Sequence, residues 1–178
     1  MKIVITSRVA TAIAATAVAL SVSLGLVVIQ QGAAGAGSHD SNGCPQSRQQ
    51  LERNKHNAVA YYTTAFNDKN PELAVELYGG DEYIQHNPLA DNGFDAFIAF
   101  VNSFTTAFPD VHIEIVRVIA ECDLVVTHAV ATGALPVYGP NGFKLVDIFR
   151  LDRHGKIVEH WDVGAQISDT SVNGNLEV

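Results

Sequence analysis

Apolar positions recur every three or four residues over 51–66, where Ala58, Tyr61, Tyr62, Ala65 and Phe66 fall on one stripe. That period predicts an amphipathic helix. A shorter helix is predicted from Asn70-Pro71 to Gly79-Gly80. Asn caps it, Pro suits its first turn, Glu72 sits at its positive end and the glycines stop it. The stretch "EYIQHNP" reads as a short extended segment closed by Asn87-Pro88. A third helix is predicted over 93–108, with Phe94, Phe97, Ile98, Val101, Phe104 and Phe108 along one side and Pro109 as its stop. Large apolar residues on one stripe mark a core face rather than a cofactor box. Beyond Pro109 the period changes to two, which predicts strands at 111–120, 124–134, 143–151 and 156–166. Their connections, "ECD", "LPVYGPNG" and "DRHG", carry turn chemistry suited to antiparallel hairpins. Helix, helix, short strand, helix and a four-strand meander together predict an α+β domain. Its helices pack on one face of a strongly curved, mostly antiparallel sheet.

The N-terminal part has a different pattern. Residues 9–29 are apolar and uncharged, preceded by Lys2 and Arg8 and followed by "QQGAAGAGS". This is the three-part layout of a secretory signal peptide, with cleavage placed after Ala36. A run of this length also suits an uncleaved membrane anchor. The expected organisation is a leader at 1–36, a polar linker at 37–50, one domain at 51–166 and a tail at 167–178. The destination is secreted or cell-envelope, with no stable membrane insertion once the leader is removed. Net charge is −8 for the whole chain, and loss of Lys2 and Arg8 with the leader makes it more acidic. No Lys/Arg cluster remains to replace the counterions of nucleic acid or of an anionic membrane, so neither is an expected partner. Cys44 and Cys122 are the only cysteines. In an exported protein they are able to pair, but their spacing leaves open whether they do.

The chemistry concentrates in the last strands. "KIVEHWDVGAQ" places His160 and Asp162 where a strand would ordinarily carry Val or Ile. If the hairpin loops are symmetric, His128 lies opposite Asp147 and Asp147 opposite His160, which forms a polar row. Asp147 shares its side with Phe143, Leu145, Phe149 and Leu151, and His128 shares its side with Leu124, Val126 and Val130. On the last strand His160 and Asp162 share one side with Val158, and Ile157, Glu159, Trp161 and Val163 take the other, unless a β-bulge exchanges the two sets. An ionised acid on an apolar face needs a partner, water or a proton. Four such groups together point to a cavity rather than a solid core.

Several stretches of the chain, "EYIQHNPLADNG", "FPDVHIEIVRVIAECDLVVTHAVATG", "VDIFRLDRHGKIVEHWDV" and "DTSVNGN", resemble the SnoaL-like polyketide cyclases, in the branch described as aldol-condensation-catalysing enzymes. These belong to the nuclear transport factor 2-like (NTF2-like) superfamily. The resemblance implies a cone-shaped α+β barrel around a deep pocket, a homodimer, and acid/base chemistry on a small carbonyl compound without metal or cofactor. It assigns the base of an aldol step to Asp162. It places His86 and Asn87 at the pocket, with Tyr83 and Phe149 beside them as substrate-binding residues. It also maps Asp147 onto a position where the characterised cyclases carry His, a departure that sets a second carboxylate near the first. His160 and His128 complete the expected catalytic set, as oxyanion donor and as partner of Asp147. Two other readings use the same residues. His128, Asp147, His160 and His86 supply donors of the kind that hold iron or zinc, and the pocket of this superfamily also serves binding proteins without turnover.

Overall fold

The computed structural model describes residues 46–178. The leader, most of the linker and Cys44 lie outside the described residues, while Cys122 is disulfide-bonded. Helix α1 (Arg48–Tyr62) starts at a capping box, in which the Ser47 hydroxyl accepts from the Gln50 amide and the Gln50 side chain accepts from the Ser47 N–H. Its buried stripe is Asn54, Ala58, Tyr61 and Tyr62. The predicted helical period continues through Phe66, but the last turn, Thr63–Asn67, is wound as a π-helix that buries Ala65 and Phe66. Helix α2 (Pro71–Tyr78) begins at the Asn70 cap, whose side chain accepts from the Leu73 amide, as expected. Strand β1 (Gly79–Gln85) follows directly, so the glycines that end the helix also open the strand.

Helix α3 (Phe94–Ala107) turns Phe97, Val101 and Thr105 inward. Strands β2 (His112–Glu121) and β3 (Leu124–Thr132) form a hairpin, and the short helix α4 (Leu135–Tyr138) then leads to β4 (Phe143–Leu151) and β5 (Ile157–Gln166). Sheet order is β1-β5-β4-β3-β2, with β1 parallel to β5 and every other pair antiparallel. Breaks in register at Ile115/Arg117 and Arg150/Leu151 mark the bulges that bend the sheet. The helices cover its concave face, and Tyr61, Phe97, Val101, Val125, Phe149, Leu151 and Ile157 form the core between the layers. The expected α+β cone is therefore present, with a short fourth helix and a parallel strand pair added to it. No helix among the described residues is long and apolar enough to cross a membrane.

Two registers differ from the symmetric-hairpin expectation. In the β3–β4 pair Asp147 faces Thr127, and His128 faces Val146. Part of the loop is wound into α4 and buries Tyr138, so the turn is not centred where symmetry places it. A slip of one residue moves every side chain to the other face. In the β4–β5 pair Asp147 faces Asp162, and Phe149 faces His160. This slip is of two residues, which preserves the faces. The bulge beside Val158 leaves Ile157, not Val158, on the inner side with His160.

Candidate active site

A cavity of about 390 Å³ opens between the helices and the concave side of the sheet. Phe66, Phe97, Phe104, Ile113, Tyr138 and Leu145 form its apolar wall. Its polar end is built from Tyr62, Tyr83, Gln85, Asn87, Asp147, His160 and Asp162. Among the described residues neither Lys nor Arg lines it.

Asp147 is fully buried. Its Oδ1 accepts from the Tyr62 hydroxyl at 2.8 Å and lies 3.3 Å from His160 Nε2, and its Oδ2 accepts from Thr127 Oγ1 at 3.2 Å. Tyr62 Oη is also 3.0 Å from His160 Nε2, so these three atoms form a triangle. On the far side of the ring, His160 Nδ1 is 3.1 Å from Gln85 Oε1. Burial pushes the Tyr62 phenol well above its ordinary range, and the neighbouring Asp147 charge adds to the shift. Tyr62 therefore remains a proton donor at any physiological pH. Burial does the same to Tyr83, and raises Tyr138 to about 12.

Asp162 is half-buried at the same end of the cavity. Its Oδ2 accepts from Asn87 Nδ2 at 2.8 Å, and among the described residues its Oδ1 has no hydrogen-bond partner. Asn87 reaches it because its own Oδ1 accepts from the Leu89 amide at 2.8 Å, which folds the segment after β1 into a tight turn.

Of the residues singled out in the sequence, Asp147, Asp162, His160, Asn87 and Tyr83 come together around the cavity. Three do not. His128 lies on the opposite side of the sheet, its Nδ1 2.8 Å from Arg117 Nη1, because the one-residue slip of β3 turned it outward. His86, the residue just after β1, also points away from the cavity, stacked on Trp161 at 4.6 Å and paired with Glu159 at 2.8 Å. Phe149 faces inward but lies behind the site, edge-on to Tyr61 and Tyr62 and without exposed surface, so it supports the site rather than contacting a ligand. With His86 and His128 outside, the donor set of the alternative metal reading is not assembled among the described residues.

Tyr62, Thr127 and Gln85 are the site residues that the sequence reading missed. Thr127 had a signal, being the one hydroxyl among the inward residues Val125, Ala129 and Ala131 of its strand. Tyr62 had none that separates it from the other aromatic residues of the helix stripe.

Residues 58–160, more than half of the chain, match the SnoaL-like domain. The chain belongs to that family. No curated protein matches it. Among solved structures, a Bacillus cereus protein described as a polyketide cyclase is similar at 20% identity and TM-score 0.56, over 67% of this chain and 78% of the other. A SnoaL-like protein from Jannaschia, also described as a polyketide cyclase, gives 20% and 0.55 over 68% and 91%. An epoxide hydrolase from M. tuberculosis, described as LEH-like, gives 16% and 0.51 over 65% and 85%. At these identities the likeness is one of fold. In this SnoaL-like chain the chemistry must therefore be argued from the side chains themselves.

Proposed function

We propose that this SnoaL-like protein is an exported acid/base enzyme that acts on a small, neutral carbonyl compound by aldol-type or isomerase chemistry, with Asp162 as the base. The observation that carries this reading is the half-buried Asp162 carboxylate at the polar end of an apolar cavity, with one oxygen oriented by Asn87 and the other without a hydrogen-bond partner among the described residues. An acid that is placed but not neutralised is suited to remove a proton from carbon beside a carbonyl. The electron pair of the broken C–H bond then moves toward the carbonyl oxygen, where the Tyr83 hydroxyl, which accepts from Gln85 and keeps its own proton, supplies a hydrogen bond to the developing charge. In an aldol closure the enolate carbon bonds to a second carbonyl, and the new alkoxide takes back the proton held by Asp162. Tyr62 and Asp147 hold His160 in place without being consumed.

Export is supported by the charged, apolar and small-residue layout of the first 36 positions, and by a disulfide at Cys122, which belongs in an oxidising compartment. Asp162→Asn tests the catalytic reading. Turnover should fall by about 10²–10⁴-fold while ligand affinity stays within a few-fold, because the amide keeps the shape but cannot take a proton. A binding protein without turnover would show no catalytic rate in the parent protein.

A further inference from the structure

We propose that Gln85 is the positioning residue that sets the proton inventory of the site, by fixing His160 in the form that carries a proton on Nδ1. The use made of that proton rests on the acid/base reading above, but the assignment itself does not. The Asn87 backbone N–H donates to Gln85 Oε1 at 2.9 Å. A backbone N–H only donates, so the Gln85 atom that meets it is the oxygen, and the amide has one allowed orientation. The same oxygen lies 3.1 Å from His160 Nδ1. An amide oxygen only accepts, so Nδ1 must carry hydrogen. The amide nitrogen of Gln85 is directed to the Tyr83 hydroxyl at 3.2 Å, which agrees with that orientation.

The variable nitrogen of His160 is then Nε2, the one that faces the Tyr62 hydroxyl at 3.0 Å and Asp147 Oδ1 at 3.3 Å. Tyr62, Asp147 Oδ1 and Nε2 are mutually satisfied when they hold two protons, one belonging to Tyr62 and one shared by Asp147 and His160. With only one proton, a nitrogen lone pair and a carboxylate oxygen would face each other in a buried space. The titratable groups around His160 are Tyr62 from α1, Tyr83 from β1, Asp147 from β4 and Asp162 farther along β5. The turn after β1 thus acts on both halves of the site. Its Asn87 backbone N–H orients Gln85 and through it His160, while the Asn87 side chain, oriented by the Leu89 amide, donates to Asp162.

Long-range proton–nitrogen NMR on ¹⁵N-labelled protein reads the state of each ring nitrogen directly, with His160→Gln used to assign the signals. In the parent protein Nδ1 should be protonated wherever the fold persists. Gln85→Glu keeps two acceptor oxygens and should retain the Nδ1 proton. Gln85→Met removes the acceptor, and Nδ1 should then give up its proton, leaving the ring protonated only on Nε2, against Asp147. A parent spectrum with a bare Nδ1 overturns the proposal, and so does a folded Gln85→Met protein whose Nδ1 remains protonated. If Gln85→Met does not fold, the parent spectrum decides alone. None of these readings uses substrate, so the outcome is independent of whether Asp162→Asn abolishes turnover.

Discussion

Asp147 has no exposed surface, yet three side chains reach its two oxygens. That is the condition under which an acid is tolerated in an interior, and it separates the roles of the two carboxylates. Asp147 is engaged by its partners, whereas Asp162 keeps one oxygen free among the described residues. On the outer side of the same strand Glu159 shows a different balance. Its burial opposes the charge, but hydrogen bonds from His86 and Arg150 outweigh it and hold the carboxyl below its ordinary value. A depressed folded-state pKa stabilises the fold at pH above the unfolded value and loses that effect as pH falls through the folded one. Glu159→Gln should therefore lower stability at pH 7 by about 1 kcal/mol, and the difference from the parent protein should start to shrink as the pH drops below 4.5 and vanish once it has passed the lower folded-state value. Urea titrations of both proteins at the two ends of that range check it. An equal difference at both ends would show that shape, not charge, is what Glu159 contributes.

At the scale of elements, the loop between β3 and β4 decides which residues enter the site. Gly133 follows β3 at φ 81°, and a Cβ there would lie 1.9 Å from the Asp110 carbonyl oxygen and 2.8 Å from the Val111 nitrogen. Both neighbours are backbone and cannot step aside. Gly133→Ala should cost at least about 2 kcal/mol from the left-handed conformation and the clash together, read as a lower urea midpoint with an unchanged slope. This loop also shows why the fold was legible and the site only in part. The helical stripes, the Asn70 cap and the change to period two are local signals, and each led to its element. Register is not local. Winding Leu135–Tyr138 into a helix moved the β3–β4 pairing by one residue, so Thr127 took the place beside Asp147 expected for His128. The β4–β5 pairing moved by two, and His160 and Asp162 stayed on the predicted face. Gln85 entered the site by a contact between sequentially distant strands, β1 and β5, that no spacing within either strand encodes.

For the whole molecule, the charge of the cavity restricts what can enter it. Asp91, Asp147 and Asp162 line the cavity, no Lys or Arg among the described residues does, and the chain carries a net charge of −8. A carboxylate ligand brought to the polar end would meet Asp162 with no cation between them. Two like charges at contact distance repel by about 4 kcal/mol at the effective dielectric of a partly buried site. Part of that repulsion is relieved by water or by proton uptake, and the remainder still separates ligands of the same shape. An acetylnaphthalene and the naphthoic acid of the same ring position differ mainly in that charge. Isothermal titration calorimetry at pH 7 should show the ketone binding at least tenfold more tightly, and Asp162→Asn should narrow the gap by weakening the repulsion of the acid alone. Equal binding of the two by the parent protein would mean that the acid is neutralised on entry or seated away from Asp162. Either result would remove the charge argument for a neutral substrate while leaving the apolar wall as the source of affinity.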